Sequence, residues 1–294
     1  MRDRDGILTP GRRGLRASDR HARALGSRSW ALSLVMAAGL GLFVAVATTS
    51  LPYLVSSPTT DPHFGALNQC LAEALKGPRL GWAVAPDASR TATFSARAVA
   101  LCRKDGPAAV FPAPGVRDIT FDGQGRLWVA TGEQLLREEA GQLVPMGDFA
   151  PISLAGHAAG VIALDGEGQL LSISPQGEVL GAARLPAPGA LSVGPGGMLA
   201  AVVIGGGVVA YEASTLTPLR AEAPCQVEGL WWLDAPERVL LACGPGQASA
   251  LSFDLKTGQS TKVPHRVRAP ARRLSGRPLY VQGCDGLPCT ASAP

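Results

Sequence analysis

Residues 116–143 read VRDITFDGQGRLWVATGEQLLREEAGQL. Short apolar runs (Ile119–Phe121, Leu127–Ala130, Leu135–Leu136) are separated there by turns carrying Asp122-Gly123-Gln124-Gly125 and Ala140-Gly141. A tight hairpin needs positive φ at a central residue, which glycine tolerates without steric cost and Asp better than most. The stretch therefore predicts two consecutive β-hairpins, four strands in all.

Working outward, the pattern recurs. First hairpins are predicted at 82–96, 118–132, 151–165, 190–204, 230–244 and 271–284, and a second hairpin follows in five of these units, at 98–112, 134–146, 169–181, 208–220 and 250–263. The apolar positions before the first turns, Ala85, Phe121, Leu154, Val193, Leu233 and Leu274, are separated by 36, 33, 39, 40 and 41 residues. That is the length of a four-stranded propeller blade. A lone sheet of this kind has two apolar faces and no way to bury them, so stacking the units radially supplies the missing neighbours. The predicted fold is all-β, a β-propeller of about six four-stranded blades over residues 80–294. A five-bladed ring with a decorated terminus is the alternative count, and an eight-stranded sandwich fits the repeat less well. The sixth unit stops at CTASAP without a fourth strand. A segment upstream of the first unit is expected to pair there as a closing strand.

The N-terminal part obeys different rules. Residues 1–29 hold eight arginines and three aspartates, a charge of +5, so the formal +4 of the whole chain leaves −1 for the remainder. The basic pI thus comes from a tail beside an apolar segment, a topology signal that displaces a nucleic-acid reading. No charged residue occurs from Trp30 to Val55, long enough at about 1.5 Å per residue to cross roughly 30 Å of hydrocarbon. The expected organisation is a cytoplasmic tail (1–29), a signal-anchor helix (30–55), a linker with a short helix over Phe64–Lys76 (56–79) and an extracytoplasmic domain (80–294). Cleavage near Ala47 and secretion is the alternative. Few lysines, many arginines and no Asn-x-Ser/Thr site point to a bacterial inner membrane with the domain in the periplasm. All six cysteines, Cys70, Cys102, Cys225, Cys243, Cys284 and Cys289, lie beyond the anchor, as an oxidising compartment requires. Proximity in sequence favours the pairs 70–102, 225–243 and 284–289, although six cysteines allow 15 pairings.

Residues 116–143 also resemble a blade of the bacterial two-component-regulator and NHL-type propeller repeats, through Asp122, Gly125, Leu127, Trp128, Val129 and Thr131. The later LSFDLKTGQ is similar to the repeats of quinoprotein-like propellers. Both resemblances imply a fold, and neither implies an activity, because propellers host binding, sensing and catalysis alike.

Candidate sites follow from the repeat. The polar residues it places at the innermost strands, around a central opening, are Arg117, Asp118, Glu228, Arg272 and Arg273, the candidate ligand-binding set. Trp231 and Trp232 join that set, because alternation along a strand sends the two indoles to opposite faces; core packing is the competing role for both. Asp122-Gly-Gln-Gly and Asp165-Gly-Glu-Gly read as hairpin turns rather than calcium loops, since the full ligand array is absent. A Ser-His-Asp arrangement would need His157 or His265. No metal, cofactor or assembled catalytic motif is expected. The reading that results is a membrane-tethered, non-enzymatic propeller binding an envelope protein or a small ligand, without nucleic acid. A metal-dependent propeller hydrolase or lactonase, and a sensor ectodomain signalling through a partner, are the alternatives.

Overall fold

The computed structural model describes residues 58–219, 222–244, 249–263, 272–273 and 280–291. The expected tail and membrane helix lie outside the described residues, as does the cleavage point near Ala47. Among the described residues no helix is long and apolar enough to cross a membrane.

The described chain begins with a 3-10 turn (Pro58–Thr60) and helix α1 (Gly65–Ala74), then turns entirely to strands. Sheet 1 holds β1 (Gly81–Val84), β2 (Arg90–Phe94), β3 (Ala98–Arg103) and β4 (Ala109–Pro112). Sheet 2 holds β5 (Val116–Phe121), β6 (Leu127–Thr131), β7 (Leu135–Glu139) and β8 (Gln142–Pro145). Sheet 3 holds β9 (Pro151–His157), β10 (Gly160–Asp165), β11 (Gln169–Ile173) and β12 (Val179–Arg184). Sheet 4 holds β13 (Ala190–Val193), β14 (Leu199–Ile204), β15 (Gly207–Glu212) and β16 (Pro218–Leu219). Sheet 5 holds β17 (Val227–Trp232), β18 (Arg238–Cys243), β19 (Ser249–Asp254) and β20 (Ser260–Val263). Sheet 6 holds three strands, β21 (Arg272–Arg273), β22 (Tyr280–Cys284) and β23 (Leu287–Ala291). Every pairing is antiparallel between strands consecutive in sequence, so each sheet is a meander of hairpins.

The sheets bury one another. One core layer joins Phe94, Val99 and Leu101 of sheet 1 to Ile119, Phe121 and Val129 of sheet 2. Trp128 and Leu135 on the other face of sheet 2 pack with Leu154 and Val161 of sheet 3. Leu164 and Leu170 of sheet 3 meet Val202 and Tyr211 of sheet 4, and Leu199 and Val208 of sheet 4 meet Val239 and Phe253 of sheet 5. Sheet 6 also touches sheet 1, where β23 lies against β1. This explains why β6, LWVAT, is buried at all five positions instead of alternating: a sheet covered on both faces asks for a continuous apolar strand. The fourth strands are the exposed ones, as in β12, where only Gly181 and Ala183 are half-buried.

Two expectations are corrected. Leu154 does not precede its turn; it sits inside β9, which continues to His157 before Ala158 and Ala159 turn the chain into β10. The reason is that Gly156 and His157 extend the ladder despite their weak strand propensity. And no upstream strand completes sheet 6 among the described residues. Instead the 3-10 turn and α1 stand beside β23 and cap its edge with side chains, Asp61 to Thr290 and Asn68 to Pro288. The segment is helical because Phe64, Leu67, Leu71 and Leu75 form one apolar stripe, buried against sheets 1 and 6, and its start is fixed by the Asp61 carboxylate, which accepts the backbone N–H groups of His63 and Phe64. All three disulfides favoured by sequence proximity are present, Cys70–Cys102 from α1 to β3, Cys225–Cys243 at sheet 5 and Cys284–Cys289 across the last hairpin.

Consecutive first strands are stitched by polar groups as well as packing. Asp118 Oδ2 accepts Leu154 N–H at 2.8 Å, Thr120 Oγ1 accepts Gly156 N–H at 3.2 Å, and Gly123 N–H donates to the His157 carbonyl at 2.8 Å. β5 and β9 approach so closely that a Cβ on Gly156 would lie 1.8 Å from the Phe121 carbonyl oxygen. Forcing atoms into such a contact moves backbone and costs about 1–3 kcal/mol. Gly156→Ala is therefore expected to lower the urea midpoint of the domain by an amount worth about 3 kcal/mol, at unchanged slope. Gly166→Ala, at a position with open space around it, should move it by less than about 0.5 kcal/mol.

Candidate functional site

Three of the first strands carry a β-bulge at their second residue. The register shifts between Val116 and Asp118 in β5, between Pro151 and Ser153 in β9, and between Val227 and Gly229 in β17. A bulge inserts one extra residue into the strand, bends it and re-aims a side chain. The inserted residues are Arg117, Ile152 and Glu228, and all three are exposed, Ile152 at 43%. Their place in the strand is the same, so the bulges present a cation, an apolar group and an anion at the entry end of the first strands. Ala190, at the start of β13, and Leu80, just before β1, are exposed at the corresponding end.

Of the residues singled out in the sequence, Arg117, Asp118 and Glu228 fall at this end. Arg117 leans over the β6–β7 turn, its guanidinium about 4 Å from where a Cβ on Gly132 would lie. Asp118 is half-buried and engaged: Oδ1 accepts Ile119 N–H and Oδ2 accepts Leu154 N–H with Ser153 Oγ at 3.4 Å. It works as a strand-to-strand link. Arg272 and Arg273 form β21, opposite Val281 and Tyr280, which puts their backbone in the first strand of sheet 6; their side chains lie outside the described residues. Trp231 and Trp232 stand at the far end of β17, about 10 Å from Glu228 at roughly 3.3 Å per residue. They do point to opposite faces, Trp232 into the layer shared by sheets 4 and 5, where its Nε1–H donates to Ser192 Oγ at 3.1 Å, and Trp231 against Leu240, Ala242 and Ala250. Both are less than a tenth exposed. Ile152 was missed because nothing in a sequence marks a bulge between two apolar neighbours.

Asp122, buried to 1% exposure, is a turn-former whose carboxylate is saturated by its own hairpin. Oδ1 accepts Gln124 and Arg126 N–H, and Oδ2 accepts Arg126 Nε at 2.7 Å and Trp128 Nε1–H at 3.0 Å. Asp165 holds Glu167 and Gln169 N–H in the same way. These carboxylates hold their turns, and no cluster of three or more metal-ligating side chains occurs among the described residues.

Ser172, His157 and Asp122 come together, but not as a nucleophilic triad. His157 Nδ1 accepts Ala159 N–H at 3.2 Å, so the neutral ring carries its proton on Nε2 and donates it to Ser172 Oγ, also at 3.2 Å. A base oriented for catalysis needs the reverse, a carboxylate on the far nitrogen and a free Nε2 facing the hydroxyl proton. His157 and Ser172 are buried, and burial pushes the His157 imidazole down to about 4, against the raising pull of the Asp122 charge. The grouping is a structural bridge between β9 and β11.

No protein-family model matches the sequence, and no curated protein matches it. Solved structures do. A chain in the crystal structure of the mitotic checkpoint complex is 11% identical, with a TM-score of 0.52, and the match covers 72% of this chain and 76% of that one. The WD40 domain of SCAP from fission yeast is 14% identical, with a TM-score of 0.48 over 67% of this chain and 57% of that one. With the six meander sheets packed in sequence order, the first match makes this a β-propeller-type repeat fold; at that identity it says nothing of activity.

The His157 geometry generates a pH dependence. Its imidazole binds a proton below pH 6.5 when unfolded and only below about 4 when folded, so the unfolded state is the better proton acceptor between those values and acid favours it. Stability is complete above pH 6.5 and falls by up to about 1.4 kcal/mol per pH unit toward pH 4. Urea unfolding at pH 7 and pH 5 should differ by roughly 2 kcal/mol in the wild-type chain and by less than about 0.5 kcal/mol in His157→Gln. Equal pH dependence in both would show that the ring is not the group responsible.

Proposed function

We propose that this chain is a membrane-tethered, extracytoplasmic β-propeller of six blades in a closed ring, of the two-component-regulator and NHL-type repeat kind, and that it works as a non-enzymatic binding module. The observation that carries the reading is the shared bulge, which turns Arg117, Ile152 and Glu228 outward at one end of the first strands. Bulges recur where a side chain is re-aimed for use, and a surface mixing one cation, one anion and apolar groups suits a protein partner or a small amphipathic ligand better than a uniform charge field would.

Ring closure is supported by the return of contacts from β23 to β1 and by Thr93 Oγ1, which donates to the Gly286 carbonyl at 3.1 Å across that junction. The repeat kind is supported by the roles of its signature residues: Asp122 and Gly125 make the turn and Trp128 reaches back to it. Export is supported by three disulfides, by the uncharged stretch from Trp30 to Val55 and by the arginine-rich tail, which together favour a bacterial inner membrane with a cytoplasmic N-terminus and the propeller in the periplasm. The partner is then an envelope protein or a small envelope ligand.

The test is affinity capture with the full chain in detergent from envelope extracts, comparing wild type with Arg117→Glu, Ile152→Ser and Glu228→Lys. One component should be recovered by the wild type and fall at least tenfold with each variant, while near-ultraviolet circular dichroism stays unchanged. Recovery of the same component by all three variants would place the binding surface elsewhere, and hydrolytic turnover of an ester or lactone by the wild type would overturn the non-enzymatic reading.

A further inference from the structure

Among the described residues, the junction between sheet 6 and sheet 1 is built from an element that the other junctions between consecutive sheets lack. In β23, Cys289 faces Gln282 and Ala291 faces Tyr280 across the ladder with β22, and antiparallel pairing makes backbone groups alternate between the two edges. Pro288 and Thr290 turn theirs to the outer edge. Thr290 N–H donates to Asp61 Oδ2 at 2.7 Å, Thr290 Oγ1 donates to Asp61 Oδ1 at 3.0 Å, and the Pro288 carbonyl accepts Asn68 Nδ2 at 2.7 Å. Two side chains from the segment before the first sheet thus satisfy an edge that a fourth strand covers in the other sheets. The same segment is wedged by Phe64, Leu67, Leu71 and Leu75 between Val84, Ala88 and Ala100 of sheet 1 and Val281 and Leu287 of sheet 6. It is also covalently fixed to one side only, through Cys70 to Cys102 of β3.

We propose that residues 58–75 are a thiol-controlled clasp: the Cys70–Cys102 disulfide seats α1 so that Asp61 and Asn68 hold the edge of β23, and reduction of that bond releases the last sheet. The asymmetry of burial sets the route. Cys70 is half-buried while Cys102 is fully buried, so a dithiol reductant attacks the sulfur of Cys70, forms a mixed disulfide with it and expels the Cys102 thiolate. The second thiol of the reductant then displaces Cys70. Two electrons pass from the dithiol to the cystine; the dithiol leaves as a disulfide and its two protons end on Cys70 and Cys102. Closure runs the same exchange backward, with a disulfide-carrying oxidant as electron acceptor. Once the clasp loosens, the Thr290 N–H and the Pro288 carbonyl lose their partners, and an uncapped strand edge is the part of a sheet that frays and pairs with other chains.

Hydrogen exchange read by mass spectrometry on the full chain tests this. In Cys70→Ala/Cys102→Ala, amides of residues 280–291 should exchange at least tenfold faster, while those of β5 to β15 keep their rates. Asp61→Ala, with the disulfide intact, should give the same local signature, and it decides the matter alone if the double variant does not fold. In the wild type under graded dithiol, the acceleration at 280–291 should rise in step with alkylation of Cys70. An acceleration that follows alkylation of Cys284 instead would overturn the clasp. So would unchanged rates at 280–291 in both variants, or an acceleration spread evenly over every sheet.

Discussion

A four-stranded sheet made of short apolar strands has two faces that water penalises, and apart from α1 at sheets 1 and 6 there is no helix among the described residues to cover them. Every feature of the domain follows from that constraint. The faces are covered chiefly by other sheets, so the units stack, and the layers between sheets 1 and 2, 2 and 3, 3 and 4, and 4 and 5 each belong to two consecutive sheets at once. Burying one Leu or Val side chain contributes about 1.5–3 kcal/mol, and here that gain exists only if the neighbour is present. Folding is therefore cooperative across junctions rather than within a sheet. The gradient of burial inside a sheet has the same origin. Second strands such as β6 sit between two layers and are buried throughout, whereas fourth strands such as β12 and β20 reach the surface and carry exposed residues.

Packing alone does not set the register between sheets, because two apolar faces slide over one another at little cost. Polar links along the first strands remove that freedom. Asp118 and Thr120 reach the backbone of β9 36 residues further on, Gly123 reaches His157, and Trp232 reaches Ser192 40 residues earlier. Each link is buried or half-buried, so leaving one partner unmatched costs about 1–3 kcal/mol, enough to penalise a one-residue slip. Gly156 shows the other half of the arrangement. Hydrogen bonds between first strands demand a close approach, and a residue with no side chain is the one that permits it.

The legible part of this architecture was the part written in local chemistry. The turns at Asp122, Asp165 and Asp254 announce themselves because a carboxylate two to four residues ahead of waiting N–H groups is a local device. Strand lengths and the pairing of nearby cysteines are local as well, and so is the helix carrying Leu67 and Leu71. What stayed hidden depends on distant partners. A bulge at Ile152 leaves the run of residue types unchanged. The role of Asp118 as a link becomes visible only when Leu154 is beside it. The gap in sheet 6 was apparent from the missing fourth strand, but its filling was misread as a strand, because the contacts of Asp61 and Asn68 span more than two hundred residues.

The second strands are closed on both faces, the Asp122 and Asp165 carboxylates are occupied by their own turns, and the His157–Ser172 pair is sealed with its proton on the wrong nitrogen for catalysis. Both indoles of β17 are spent on core layers. A buried polar group committed in this way cannot be recruited without breaking the bond it already makes. The bulges lift Arg117, Ile152 and Glu228 out of the ladder, and a bulge achieves this without disturbing the layer beneath it, since in β5 Val116 ahead of Arg117 and Ile119 beyond the half-buried Asp118 stay buried. Extra length inserted into one strand thus lets the fold keep an unbroken core and still present dissimilar side chains at the same strand end.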